Sequence, residues 1–536
     1  VLDKMSPNQR LIVAVLLSII FFVGYTAIFP PKEQKVAENA KTENAASLTD
    51  TQNKDVASRV EEASGHAVSQ QEKVNNGTSN TIVTITNKNF ILKIDTLGRI
   101  SSKELLEEKF RNDDNLHAQV IPEFGTKPLY IRFSDDALND EATKVAYSAN
   151  VSSVELSNKP VTVTLTQKLS NLTVTKVLTF YADGHYDAKI STSKDIRHYV
   201  YLGDRPQVSK KLMAVAGALI YTDDDVVHII EDGDAEGRKV FQGVKLASAF
   251  DQYTAIILYG FKKETNVIVE RGKDDNPVVY FEADKDENIH GYIGPKEHKV
   301  LKSIDPMLTN AIEYGWFTFA AKPLFALLSW LHGIFGNWGW AIIALTAIIR
   351  IVLYPLTYKG MVSMQKMKEL APKLKELKEK YKKDPQRLNA ATMEMYKKHG
   401  ANPLGGCLPM ILQIPVFFAL YRTLLNAVEL QGAPWILWIN DLSRMDPYYV
   451  LPILMGASMF LQQRMTPNNF TDPMQEKVFK YLPVIFTFFF VTFPSGLVLY
   501  WFTNNLFSIA QQYIVNQQFK NAKDAKAAIE KSSEKK

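Results

Sequence analysis

The sequence predicts a polytopic α-helical membrane protein of six spans, carrying a large β-sandwich domain outside the cytoplasm. Three observations predict it. Charge is split along the 536 residues: 30–321 hold 35 Lys+Arg and 43 Asp+Glu, a net of −8, while the remainder holds 27 and 14, a net of +13, within an overall +5. Long apolar runs occur only in the basic remainder. The acidic middle alternates polar and apolar residues at the period of a strand.

The first element is 11–29, LIVAVLLSIIFFVGYTAIF, with no charge in it. As a helix it would measure roughly 29 Å, close to a bilayer core. Lys4 and Arg10 precede it and Pro30-Pro31 follow, without a small-x-small cleavage pattern. This reads as an uncleaved anchor, 1–29, with its N-terminal side in the cytoplasm. Residues 30–80 are rich in Ala, Asn, Glu, Lys, Ser, Thr and Gln and read as a solvated linker. From 81 to 306 come stretches such as TIVTITNKNFILKID (81–95) and PVTVTLTQKLSNLTVTKVLTFY (160–181). Thr, Val, Ile and Tyr at period two, broken by Gly, Asn and Asp, predict a mostly antiparallel domain large enough for a two-sheet sandwich.

Beyond 307, helices are expected at 314–335, 338–358, 404–428, 448–464, 478–494 and 496–517. The stretch 359–400 carries 12 Lys+Arg against 5 Asp+Glu, and a short basic tail fills 519–536. Basic loops stay in the cytoplasm. With 30–306 outside, the chain must cross once between 306 and 359. The run 338–358 is the better span. The mixed run before it, with Lys322, His332 and many aromatics, makes 307–336 an amphipathic helix lying in the outer interface. The remaining helices then place the basic tail inside and close a five-helix core over 337–518.

Arg350 is the charge that belongs to neither side. It sits inside the second span, and 338–358, 404–428, 448–464 and 478–517 contain no Asp or Glu to pair with it. A guanidinium cannot shed its proton, and burying one costs at least about 2.5–3.5 kcal/mol on insertion scales. Water is one solution, so Arg350 is expected to face a hydrated cavity; snorkelling to the inner surface is the alternative. Thr346, Gln413, Gln463, Asn504 and Asn505 are candidates to line that cavity or, equally, to hydrogen-bond between helices.

Within 359–401, Met361, Met364, Met367, Leu370 and Leu374 recur at three- and four-residue spacing. They make an amphipathic stripe on a cytoplasmic helical hairpin that breaks at Asp384-Pro385. A Met-rich face adapts to varied apolar partners, or the stripe packs on itself while the lysines meet lipid phosphates.

A single cysteine, Cys407, excludes an intrachain disulfide and a Cys-based zinc site. The chain has no HExxH, no GxSxG and no phosphate-cradling Gly loop, so neither an enzyme nor a cofactor is expected. The basic residues do not cover a soluble face, so no DNA partner is expected. A transporter or channel for a small anion would also explain an intramembrane Arg, but 338–517 shows no internal repeat.

The stretches NWGWAIIALTAIIRIVLYPLT (337–357), NPLGGCLPMILQIPVFFALY (402–421), DPYYVLPILMGASMFLQQRM (446–465) and DPMQEKVFKYLPVIFTFFFVTFPSGLVLYW (472–501) resemble the YidC/Oxa/Alb family of membrane-protein insertases. The anchor plus an external β domain resembles the Gram-negative form. In that form the domain is a periplasmic supersandwich similar to sugar mutarotases. The resemblance implies an inner-membrane insertase and chaperone with both ends cytoplasmic. It would move newly made proteins through a hydrophilic groove open to cytoplasm and lipid, alone or with the Sec translocon. It implies that Arg350, Thr346, Gln413, Gln463, Tyr500 and Trp501 belong to the groove; Trp501 stands where many Gram-negative members have Tyr. The apolar part of a substrate would slide along Met410, Ile414, Phe486 and Phe489. Expected partners are nascent membrane proteins, Sec components and lipids; the basic tail has two readings, contact with a ribosome or a solvated juxtamembrane segment, of which the second is the simpler.

Overall fold

The computed structural model describes residues 80–111, 116–208, 215–313, 318–382, 384–400, 408–465 and 473–533. The anchor expected at 1–29 and all but the last residue of the linker expected at 30–80 lie outside these. The described residues form two compact units that part between Glu313 and Tyr314.

The first unit is built from strands, as the alternation requires. Thr173–Phe180 and Val161–Lys168 bury every second side chain and pair antiparallel from Val161↔Phe180 to Lys168↔Thr173. They belong to a nine-stranded sheet that continues through His185–Thr192, Asp286–Pro295, Thr254–Tyr259, Val244–Phe250 and Gly217–Thr222. Two five-stranded sheets accompany it, so the expected two-sheet sandwich is assembled from three sheets. Thr254–Tyr259 is buried on both faces and lacks the alternation of its neighbours.

One inward position in this alternating pattern is a lysine. Lys176 Nζ donates to Gly98 O at 2.8 Å and to Leu129 O at 2.7 Å, and lies 4.8 Å from the ring centre of Tyr147. Gly98 lies in the turn between the strands Phe90–Asp95 and Ile100–Leu105 of one smaller sheet, and Leu129 lies just before Ile131–Phe133 of the other, so one ammonium joins all three. Lys103, also buried, reaches Gly184 O and Ile293 O across two sheets. Burial pushes both amines down to about 7.

Helix α1 (Asp136–Ala142) is capped by Asp135, and α2 (His298–Ile304) leads into a 3₁₀ turn, Pro306–Ala311. Leu308, Ala311 and Ile312 are buried, and the turn packs on the strands Gly217–Thr222 and Val244–Phe250. The first unit therefore includes 307–313, a segment the sequence pattern attaches to the following helix.

The second unit is helical. Helix α3 (Thr318–Phe335) turns at Gly336 (φ 64°) into α4 (Trp338–Val352). Asn337 caps α4, its side-chain Oδ1 accepting from Gly339 N at 2.9 Å. The helix expected to run to 358 breaks at Leu353, and α5 (Tyr354–Glu369) leaves at 65°. The cause is Pro355, which has no N–H for Ile351 O and crowds that turn. Then come α6 (Ala371–Lys380), α7 (Pro385–Lys398, capped by Asp384), α8 (Leu408–Asn426), α9 (Val450–Met465), α10 (Pro473–Phe490) and α11 (Ser495–Ser533). Helix α11 continues without a break into the expected tail as far as Ser533, because Ala, Lys and Glu there are good helix formers.

Side chains from α3, α4, α8, α9, α10 and α11 share one core, including Leu328, Ile342, Leu424, Met455, Phe490 and Val498. Among the described residues no single helix is long and apolar enough to cross a membrane; the bent pair α4 and α5 passes that test together.

Candidate functional site

Arg350 lies on the last turn of α4, almost fully buried at 7% exposure. Helix α11 supplies its partners. Nε donates to Asn504 Oδ1 at 2.6 Å, while Nη2 donates to Ser508 Oγ at 2.5 Å and to Asn504 O at 3.1 Å. Asn504 and Ser508 stand one helical turn apart, which puts them on the same face. Gln413 of α8 lies 3.5 Å from Nη2, at the outer limit of a hydrogen bond. Among the described residues Nη1 meets no acceptor, and Arg350 makes no ion pair.

The other expected groove residues divide. Gln413 and Asn504 come to Arg350. Thr346 does not: it is buried and donates to Ile342 O of its own helix at 2.7 Å. Gln463 donates to Phe479 O on α10. Asn505 donates to Ser458 Oγ on α9 at 3.0 Å. These two take the interhelical role left open by the sequence. Tyr500 is buried. Trp501 is half-buried in an aromatic cluster, 4.7 Å from Phe417, 5.1 Å from Phe490 and 6.1 Å from Phe486 between ring centres.

Met410 and Ile414 are on α8, but their side chains lie outside the described residues. Phe486 turns inward onto Trp501, whereas Phe489 is exposed at 39%. The open apolar face of α10 also takes in Tyr481, Val484, Ile485 and Phe488, the last 84% exposed. Their spacing of three, four and seven residues would have identified this face.

In the expected hairpin stripe, Met361, Leu370 and Leu374 are buried and Met364 and Met367 half-buried. The first three methionines belong to α5, which packs against α8 and α11. Ser508, missed from sequence, could have been found as a hydroxyl four residues after Asn504 in an apolar helix.

Chemically, the site is a fixed cation among neutral dipoles. It holds no nucleophile with a base beside it, and no group of three His, Cys, Asp or Glu among the described residues could hold a metal ion.

Residues 330–523 match the family described as 60Kd inner membrane protein, and 82–327 match the YidC periplasmic domain. The chain is 48% identical over 529 residues to the membrane protein insertase YidC of Wolinella succinogenes, covering 98% of each. It is 45% identical over 520 residues to that of Campylobacter jejuni, covering 96% of this chain and 97% of the relative. It is also 45% identical over 552 residues to that of Helicobacter pylori, covering 97% and 98%.

Proposed function

The chain belongs to the YidC family of membrane protein insertases, and from that premise we propose that Arg350 is the point at which a substrate's polar segment enters the bilayer. The protein is an inner-membrane insertase with a periplasmic β domain; it binds substrate membrane proteins and has no catalytic activity. The topology we infer has six spans with both ends in the cytoplasm, α3 lying in the outer interface, and α6 with α7 as a cytoplasmic hairpin.

The observation that carries the proposal is a buried guanidinium met only by neutral partners. In a medium less polar than water, an uncancelled positive charge attracts a carboxylate strongly. A polar tail reaching Arg350 from the cytoplasm has part of the bilayer already behind it. Gln413 and Trp501 flank the route. The apolar part of the substrate then moves onto the outer faces of α8 and α10, and its burial in lipid supplies the driving force. Membrane potential adds to this for acidic tails, about 2.3 kcal/mol per charge per 100 mV. We read Sec components, ribosomes and anionic lipids as partners of the same process.

The test is site-specific photocrosslinking. A photoreactive residue at Gln413 or Trp501 is expected to capture a ribosome-bound nascent membrane protein, and the same residue at the exposed Met393 is not. Equal capture from all three positions would contradict a groove at Arg350.

A further inference from the structure

We propose that Asn504 and Ser508 are positioning residues that hold Arg350 through neutral dipoles so that its charge stays uncancelled, which makes the site selective for acidic segments of substrate. This rests on the role given to Arg350 above and extends it to the two residues that hold the guanidinium.

A buried guanidinium can be satisfied in two ways. A carboxylate gives strong bonds but cancels the charge. Amide, hydroxyl and carbonyl oxygens satisfy the N–H donors and leave the charge in place. This chain takes the second way. Asn504 supplies two acceptors, its side-chain Oδ1 to Nε and its main-chain oxygen to Nη2. Ser508 is tied into the same set: its hydroxyl lies 3.0 Å from Asn504 O and accepts from Nη2. Gln511 Nε2 reaches Arg350 O at 3.5 Å, so α11 grips the residue at both ends.

No carboxylate occurs in α4, α8 or α9, and none in α11 before Asp524. The nearest carboxylates in sequence, Glu369 and Glu376, sit at the far end of α5 and on α6. Three of the five N–H donors therefore have a cost-free neutral home, and the two on Nη1 are left for a ligand. A substrate carboxylate would bind at Nη1, because both N–H groups of Nη2 are already given to Asn504 O and Ser508 Oγ. Because Asn504 and Ser508 fix the plane of the fork, that carboxylate meets a preoriented donor pair.

The experiment uses the full chain reconstituted in phosphatidylethanolamine–phosphatidylglycerol vesicles. The probes are two versions of a single-span substrate whose translocated tail carries either three Asp or three Asn. The ratio of acidic to neutral insertion is read, so an overall loss of active protein does not imitate the effect. The unaltered chain is expected to favour the acidic tail. Asn504→Asp places a carboxylate against Nε and should bring the ratio to parity; Ser508→Asp does the same from Nη2 and serves if the first variant folds poorly. Asn504→Ser and Ser508→Asn keep neutral acceptors and should keep the preference. Persistence of the preference in both Asp variants, while Arg350→Ala abolishes it, would overturn the inference and leave the role of Arg350 standing. Loss of preference in the neutral variants would overturn it equally. Retention of the preference in Arg350→Ala would overturn the role of Arg350 itself.

Discussion

Arg350 Nε and Asn504 Oδ1 lie 2.6 Å apart across 154 residues of sequence, tying the last turn of α4 to the third turn of α11. Neither partner can lose the bond cheaply. Removing Asn504 leaves a buried charged donor unmet, a cost of about 1–3 kcal/mol or more.

Thr346 is one turn from Arg350 but is turned into its own helix. Thr346→Val keeps the branched shape and removes a hydroxyl that serves only Ile342 O. Insertion by the variant should stay within about twofold of the parent, the range of substitutions away from special features. A loss as large as that of Arg350→Ala would instead place the hydroxyl on the substrate path.

Gly456 allows α9 to approach α10. A β-carbon there would collide with the Thr487 hydroxyl. Gly456→Leu should lower stability by about 1–3 kcal/mol through overpacking, read as a drop in the thermal midpoint of the purified protein. Gly456→Ala paired with Thr487→Ala should recover more than the sum of the two single changes, because the colliding atom is gone.

Asp446 organises the entry to α9. It is fully buried, and its carboxylate accepts from Leu451 N at 2.7 Å, Tyr448 N at 3.0 Å and Trp438 Nε1 at 3.0 Å. Asp446→Ala leaves three donors unmet and should cost about 1–3 kcal/mol locally. Hydrogen exchange should quicken across 446–453 and leave the β domain unchanged.

The buried lysines make the periplasmic domain pH-sensitive. Desolvation holds Lys176 and Lys103 down to about 7 in the folded state, while the unfolded chain returns to the ordinary value near 10.5. Between these values the unfolded state binds more protons, so stability rises with pH, by up to about 1.4 kcal/mol per unit for each lysine. Below 7 both states are protonated and this dependence vanishes. Hydrogen-exchange protection of Thr173–Phe180, corrected for intrinsic rates, should therefore rise from pH 7 to 9. Lys176→Met should flatten that rise, and an unchanged slope would place the titrating group elsewhere.

The broad architecture was legible because it follows from period and charge. Alternation over 81–306 gave strands, and the split between −8 and +13 separated the β unit from the helices. Arg350 was legible because a lone charge in an apolar run is conspicuous. What was not legible depends on rotation about a helix axis. Sequence places Thr346 one turn from Arg350, but cannot tell that its hydroxyl bonds back to Ile342. It offers Phe486 and Phe489 as an outer face; Phe489 does lie outside with Val484, Ile485 and Phe488, but Trp501 draws Phe486 inward. The break at Leu353 was written in Pro355, and was overlooked because the apolar run continues past it. Lys176 was hidden for the opposite reason: a lysine in an alternating strand reads as solvent-facing, and only the meeting of three sheets supplies carbonyls for it indoors.

The most direct measurement is insertion of an acidic-tailed substrate into vesicles by Arg350→Lys and Arg350→Ala, each at equal protein content. A lysine keeps the charge but replaces a planar fork with a single ammonium, so it should retain part of the activity. Arg350→Ala should lose most of it. Full and equal insertion by both variants would contradict an electrostatic role for Arg350.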